Sequence, residues 1–300
     1  MVAATAQPAG DTKLLEDLVE LIRISSTRLP PDVVAALDAA QRTEPVAQAR
    51  SVLLKMVKNQ QEAYARRSPT CQDTGTLIFE VDYGPAWRES QLHALVLAAV
   101  RQATAAGYLR ANTVDSVTGK NITDNVYAGA PYVHFHQKDV PGLTVRIMQK
   151  GGGCENVGAQ YSLPDERLGA GRDLEGVRRC ILDAVVAAQG RGCAPGSVGV
   201  CIGGDRGQGY LESKKQFWRR LDDVNADATL AALEKRVLEE ANTLGIGPMG
   251  FGGGTTLIGC KVGTLARLPA SFFVTVSYMC WAFRRATLNV AADGTSTLSQ

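Results

Sequence analysis

Seven cysteines are the side chains of this sequence best suited to metal chemistry, because thiolates are soft ligands for iron and zinc: Cys71, Cys154, Cys180, Cys193, Cys201, Cys260 and Cys280. Their odd number and wide spacing, together with a start that lacks the pattern of a secretory signal, favour reduced thiols or metal ligands over disulfides. Cys180, Cys201 and Cys260 lie in patterns typical of buried helices and strands, so we expect them to be core residues.

Three cysteines occupy positions that are more typical of ligands. Cys71 lies in a polar loop before a strand, and Cys193 lies in a glycine-containing turn between a helix and a strand. Cys280 ends a strand-like run and precedes Arg284 and Arg285, whose charge would stabilise a metal-bound thiolate or bind an anionic substrate. The residues themselves leave open which of these thiols meet.

Other common catalytic motifs are missing. His134 and His136, two of only three histidines, share one face of a strand, where packing or surface roles are more common than ligation. A GxGxxG match at 245–250 follows a helical pattern and contains a proline, which argues against a dinucleotide-binding turn. The motifs HExxH, GxSxG, CxxC and the P-loop do not occur.

Composition excludes further classes of function. The 300 residues carry 32 basic and 30 acidic side chains, so the net charge is +2 and no nucleic-acid partner is expected. The longest nearly apolar stretch, 271–283, is shorter than the roughly 20 residues that a membrane span requires. We therefore expect a cytoplasmic protein that does not cross a membrane.

The elements that must position these residues are helices and strands in alternation. Apolar side chains three and four apart predict three N-terminal packing helices: 14–25, 30–42 and 45–67. Alternating apolar residues predict a strand at Leu77, after which helices and strands alternate. We predict a mixed α/β fold with a disordered start at 1–12 and one domain over 13–300. Three glycine-rich segments either approach a ligand or form turns: 150–156, 201–210 and 245–256.

Five ordered motifs resemble a known family: CQDTGT (71–76), GKNITDN (119–125), KGGGCEN (150–156), GCAPGSVGVCIGG (192–204) and NTLGIGPMGFGGGTT (242–256). Together they resemble the α subunit, or N-terminal domain, of class I iron–sulfur fumarases and L-tartrate dehydratases. SSTRLPPDVV (25–34) and CWAFRR (280–285) further resemble the tartrate dehydratase α chain. The similarity spans nearly the whole sequence and is more specific for the superfamily than for the substrate.

The resemblance implies a [4Fe-4S] cluster held by Cys71, Cys193 and Cys280, with glycine-rich loops around it. The fourth iron would stay open and act as a Lewis acid towards a substrate hydroxyl. Asp73 matches an acidic family residue with an acid–base or orienting role, although an Asx turn is the structural alternative. Six further residues are candidates for binding the substrate: Gln72, Arg110, Gly152, Gly153, Arg284 and Lys215.

The resemblance also implies partners and a reaction. A swivelling domain completes the site in the family, and only twenty residues follow Cys280, so we expect a separate β subunit and an α–α dimer. Leu268 replaces a family histidine close to the substrate. We favour dehydration of malate to fumarate over the alternative, L(+)-tartrate to oxaloacetate. From another class of function, a non-catalytic scaffold that binds a cluster or zinc remains an alternative.

Overall fold

The computed structural model describes residues 9–300 of the chain. In this part, eight α-helices and nine strands follow one another along the chain. The helices are α1 (Ala9–Thr27), α2 (Pro31–Thr43), α3 (Ala47–Arg66), α4 (Glu89–Ala105), α5 (Gly152–Asn156), α6 (Leu174–Ala188), α7 (Arg206–Lys215) and α8 (Ala228–Asn242). The strands are β1 (Thr76–Tyr83), β2 (Tyr132–Gln137), β3 (Leu143–Lys150), β4 (Ala159–Ser162), β5 (Gly196–Gly203), β6 (Leu257–Leu265), β7 (Phe273–Met279), β8 (Arg284–Val290) and β9 (Ser296–Ser299).

These elements confirm the α/β class and the three N-terminal helices. Of the start expected to be disordered, residues 1–8 lie outside the described residues, and α1 already begins at Ala9. Contacts divide the chain into two compact units. The described part of the first unit comprises 9–30, 60–150 and 284–300, and the second comprises 31–59 and 151–283. A single domain over 13–300 stays a prediction.

The first unit contains a five-stranded sheet in the order β2-β1-β3-β8-β9, in which only the β1–β2 pair is parallel. Leu77, Phe79 and Val81 of β1 face a core shared with α1 and α4. Glu80 and Asp82 point to the opposite face, because successive strand residues alternate. The alternation of apolar residues in the sequence therefore predicts the core face of this strand.

The second unit contains a four-stranded sheet in the order β4-β7-β5-β6. All eight residues of β5 are buried, since α6 and α8 share the core of one face and α7 covers the other. A Cβ built at Gly199 would overlap the carbonyl oxygen of Ser213 in α7, so glycine is needed for this close approach. Because helices cover both faces of the sheet at β5, the sequence of this strand is continuously apolar.

Strand register brings three loops of the second unit to one edge of its sheet. Ser197 of β5 pairs with Met279 of β7, so the antiparallel pair places the start of β5 beside the end of β7. Gly196 pairs with Leu257, which places the start of parallel β6 at the same edge. The segments before β5, before β6 and after β7 therefore meet there.

Candidate active site

Three cysteines lie at the edge of the second sheet where β5 and β6 begin and β7 ends: Cys154, Cys193 and Cys280. This edge is called the thiol edge. The backbone N–H of Cys280 donates a hydrogen bond to Cys154 Sγ at 3.2 Å. The backbone N–H of Trp281 donates to the carbonyl oxygen of Cys193 at 3.3 Å. Cys154 and Cys280 are buried, and Cys193 is half-buried. Sequence reasoning assigned no role to Cys154, because nothing in its local motif indicates contact with a residue 126 positions later.

Cys193 is presented on a turn that the neighbouring loop supports. It follows a turn of 3-10 helix (Gln189–Gly192) and has φ 57° and ψ 61°, a left-handed conformation that favours glycine. The N–H of Met249 donates to the carbonyl oxygen of Ala194 at 2.8 Å. The glycine-rich segment 245–256 therefore holds the turn that carries a predicted ligand.

Glu44 anchors this glycine-rich segment from the end of α2. Its carboxylate accepts hydrogen bonds from the N–H of Gly254 (2.9 Å) and from the N–H (2.9 Å) and hydroxyl (2.8 Å) of Thr255. Burial opposes ionisation of this carboxyl, but these hydrogen bonds outweigh it and hold the pKa of Glu44 below its ordinary value. No sequence motif marks Glu44, since its partners lie about 210 residues away.

Tyr278 packs its ring against the glycines on both sides of Cys193. A Cβ at Gly192 would lie 2.5 Å from the ring atom Cε1, and a Cβ at Gly196 would overlap the phenol oxygen. Burial, together with the three thiol groups of the thiol edge, raises the pKa of Tyr278, so its hydroxyl keeps its proton. Within residues 9–300, this hydroxyl forms no hydrogen bond.

Cys71 lies in the loop that precedes β1 in the first unit, as the sequence predicts. The exposed Arg110 donates from Nη1 to the carbonyl oxygen of Gln72 at 3.3 Å. Asp73 Oδ1 accepts the N–H of Gly75 at 2.9 Å, which forms the Asx turn anticipated as the structural alternative. Gln72 and Asp73 are thus held in place by their own loop and by Arg110.

Asn125, the last residue of the GKNITDN motif, fixes the segment that carries Arg110. Its Oδ1 accepts the N–H groups of Asn112 and Thr113, each at 3.0 Å, and its Nδ2 donates to the carbonyl oxygen of Arg110 at 2.7 Å. Asn112 Nδ2 in turn donates to Asp73 Oδ1 at 3.3 Å. The motif therefore acts as a scaffold for the loop of Asp73.

Arg284 begins β8 with its guanidinium buried and only 1% of the residue exposed. Its Nε and Nη1 have no partner among the described residues. Gln149, which pairs with it across β3 and β8, is equally buried, and its Oε1 also has no partner there. Buried polar atoms normally have partners, and a guanidinium N–H can donate a charge-assisted hydrogen bond to a carboxylate.

The remaining predicted residues lie in varied surroundings. Gly152 and Gly153 are exposed at the start of α5. Lys215 is exposed at the end of α7, where the neighbouring Lys214 forms an ion pair with Glu155 of α5 at 2.7 Å. Leu268 is 74% exposed in the loop before β7. It lies at the opposite end of this strand from Cys280, and seven residues of strand span about 23 Å.

The fold places the three glycine-rich segments at two different ends of the second sheet, and it buries the three cysteines expected in the core. Segments 150–156 and 245–256 lie at the thiol edge, whereas 201–210 lies at the far end of β5. Cys180, Cys201 and Cys260 are buried as expected, and burial raises the pKa of Cys180 and of Cys201 to about 12. Such thiols are poor ligands because they stay protonated.

His136 Nε2 lies 2.6 Å from Glu80 Oε2 on the polar face of the first sheet. Over residues 9–300, no group of three or more His, Cys, Asp or Glu side chains is arranged to hold a single metal ion. None of the helices in this part of the chain combines the length and apolar character needed to cross a bilayer.

The described residues form an α/β protein whose second unit has three cysteines at one edge of its sheet and whose first unit contains a buried arginine with Nε and Nη1 lacking a partner. The chain belongs to the fumarate hydratase (Fumerase) family, whose sequence profile matches residues 15–289. This match confirms the resemblance drawn from the motifs.

Relatives from three organisms carry related names. The chain is 49% identical over 282 residues to a Geobacillus stearothermophilus protein assigned to fumarate hydratase class I, covering 93% of the chain but 55% of that relative. It is 30% identical over 296 residues to the L(+)-tartrate dehydratase subunit alpha of Escherichia coli K12, covering 98% and 96%. A Methanocaldococcus jannaschii protein assigned to the same subunit is 30% identical over 286 residues, covering 94% and 99%.

Proposed function

We propose that this chain is the α subunit of a hydro-lyase that reversibly removes water from a 2-hydroxy dicarboxylate, malate giving fumarate. The observation that carries the proposal is the meeting of Cys193 and Cys280 at the thiol edge. Family membership supports the reaction class, and the 49% identity to a relative assigned to fumarate hydratase class I supports the substrate.

The donor set fits an iron–sulfur cluster. Cys193 and Cys280 lie together beside a phenol that has no hydrogen-bond partner in the described chain, and thiolates are the ligands that such clusters use. Following the family resemblance, we assign Cys71 as the third ligand of a [4Fe-4S] cluster. When bound, the cluster would supply a Lewis acid that polarises the substrate hydroxyl.

Arginine side chains provide the means to bind a dicarboxylate. Nε and Nη1 of Arg284 lack a partner among the described residues, and each can donate a charge-assisted hydrogen bond to a carboxylate oxygen. Arg284 follows Cys280 by four residues, and a chain of four residues spans at most about 14 Å. Arg110, beside Gln72, is assigned to the second carboxylate, with the amides of Gly152 and Gly153 as further donors. Lys215 is an additional cation at the end of α7.

Asp73 is the residue to which we assign proton transfer or orientation. Dehydration removes a proton from the carbon next to the one that bears the hydroxyl, so a carboxylate must lie near that carbon. The Asx turn and Asn112 hold the Asp73 carboxylate in a fixed direction, which a proton acceptor requires. The buried surroundings of Arg284 and Cys280 would keep bulk water away from the reacting carbons.

A separate β subunit is part of this proposal. The relatives from Escherichia coli and Methanocaldococcus jannaschii are named as a subunit alpha, a name that implies a partner subunit. We propose a heteromer built on an α–α dimer and located in the cytoplasm. The same names favour L(+)-tartrate as the alternative substrate.

Metal analysis tests the proposal first. The chain, tagged so that an associated β subunit is retained, is purified without oxygen and analysed for iron, sulfide and zinc. We expect about four irons and four sulfides per chain, lost on Cys71→Ser, Cys193→Ser or Cys280→Ser and retained in the control Cys201→Ser. Zinc without sulfide would support the scaffold alternative instead and contradict the proposal.

Substrate assays of the same complex then decide between the dicarboxylates. We expect interconversion of malate and fumarate, and an increase of about tenfold or more in KM on Arg284→Lys, because a lysine lacks the planar set of guanidinium donors. Consumption of tartrate without turnover of malate would establish the alternative. Activity unchanged by Arg284→Lys would contradict the carboxylate-binding role.

A further inference from the structure

Tyr278 carries a hydroxyl that the proposed reaction does not use. The residue lies in β7, two positions before Cys280, and only 2% of it is exposed. Its hydroxyl forms no hydrogen bond within the described part of the chain. A phenol hydroxyl is a hydrogen-bond donor, and a cluster bound at the thiol edge would offer it an acceptor.

The surroundings of this hydroxyl point to sulfur. The ring packs on Gly192 and Gly196, so the phenol lies against the turn that presents Cys193. The N–H of Trp281 connects the end of β7 to the same turn at Cys193, and Cys280 and Cys154 are joined by their own hydrogen bond. The phenol therefore lies at the thiol edge, against the turn that presents Cys193 and two positions before Cys280.

Other residues near Tyr278 do not compete for its proton. Its neighbours in the core of the second unit are aliphatic side chains such as Val198 and Val276. The backbone groups of Val198, its partner across the β5–β7 pair, are used within the sheet. Glycines at 192 and 196 add no side chain that could accept this proton.

We propose that the Tyr278 hydroxyl donates a hydrogen bond to a sulfur of the bound cluster and thereby stabilises its reduced state. The inference rests on the proposed function, since it requires the cluster. Reduction adds negative charge to the cluster, and hydrogen bonds to its sulfurs raise its reduction potential. Tyr278 would then raise the reduction potential of the cluster without touching the substrate.

The test compares Tyr278→Phe with the matched control Tyr161→Phe in the anaerobic holoprotein. Phenylalanine keeps the ring that packs on the glycines and removes only the hydroxyl. Tyr161 instead donates to Asp183 Oδ2 at 2.8 Å in the same unit. A redox titration followed by electron paramagnetic resonance should show about a tenfold lower ratio of reduced to oxidised cluster in Tyr278→Phe at a fixed potential, which is 59 mV for one electron.

A second measurement needs no substitution. Electron–nuclear double resonance of the reduced wild-type cluster, before and after exchange into D2O, should reveal an exchangeable proton at hydrogen-bond distance from sulfur. Its absence overturns the inference, as does a Tyr278→Phe potential equal to those of wild type and Tyr161→Phe. Wild-type protein without iron and sulfide would overturn the proposed function as well, so the two failures are distinguishable.

Discussion

Glu44 should contribute more to stability than any feature of its local sequence indicates. Its carboxylate is 2% exposed and is the acceptor for Gly254 and Thr255 of the glycine-rich segment. The substitution Glu44→Ala removes this acceptor and leaves two backbone N–H groups and a hydroxyl without it. The loss of these hydrogen bonds should also destabilise the segment at Met249, whose N–H supports the turn of Cys193.

The expected magnitude follows from the number of hydrogen bonds. A hydrogen bond to a charged group contributes about 1.5–3 kcal/mol, and bonds to one carboxylate are not additive. We therefore expect Glu44→Ala to lower the free energy of unfolding by about 3 kcal/mol at pH 7. This is a large part of the 5–15 kcal/mol typical of a folded protein.

Urea unfolding at pH 7 measures this loss, with Glu239→Ala as the control. Glu239 lies on α8 in the same unit, its side chain is 65% exposed, and its removal should change the free energy of unfolding by about 0.5 kcal/mol or less. Hydrogen exchange should also become faster at the amides of Gly254 and Thr255. A loss below about 1 kcal/mol, or unchanged exchange, would refute the reasoning.

The pH dependence gives an independent check. Because the folded-state pKa of Glu44 is lowered, its contribution is fully present above the unfolded value of about 4.3 and is lost as the pH falls through the folded pKa. The difference between wild type and Glu44→Ala should therefore shrink in acid. A difference that stays constant as the carboxyl protonates would contradict the assignment.

Two further predictions concern close packing and thiol reactivity. Gly196→Ala should lower the free energy of unfolding by about 2–3 kcal/mol in the same urea assay, because the added Cβ overlaps Tyr278. The control Gly207→Ala, at an exposed position of α7, should be neutral or stabilising. Equal effects of the two substitutions would contradict this prediction. Cys180 and Cys201 should resist iodoacetamide at pH 8 in the folded protein, since a pKa of about 12 leaves roughly one thiol in ten thousand ionised. Mass spectrometry of the modified peptides would refute this if either thiol reacted as fast as in urea.

Local sequence patterns were sufficient to predict the helices, the strands and the candidate ligands. Apolar spacing predicted the bounds of α2 and α3 to within two residues, whereas α1 begins five residues earlier than predicted, and the alternation at Leu77 and Phe79 identified the buried face of β1. Helical and strand periods depend on neighbouring residues, so they can be recognised without the fold. The motifs likewise indicated Cys193 and Cys280, because their types and flanking residues are local features.

Which of these residues lie in contact depends on the three-dimensional fold. The contact between Cys154 and Cys280 and the anchoring of segment 245–256 by Glu44 depend on strand order and register, which no local pattern encodes. Register also places Leu268 at the far end of β7, although it is only twelve residues from Cys280. Strand direction and pairing fix the positions of side chains in space, and that is why distance along the chain did not predict the site.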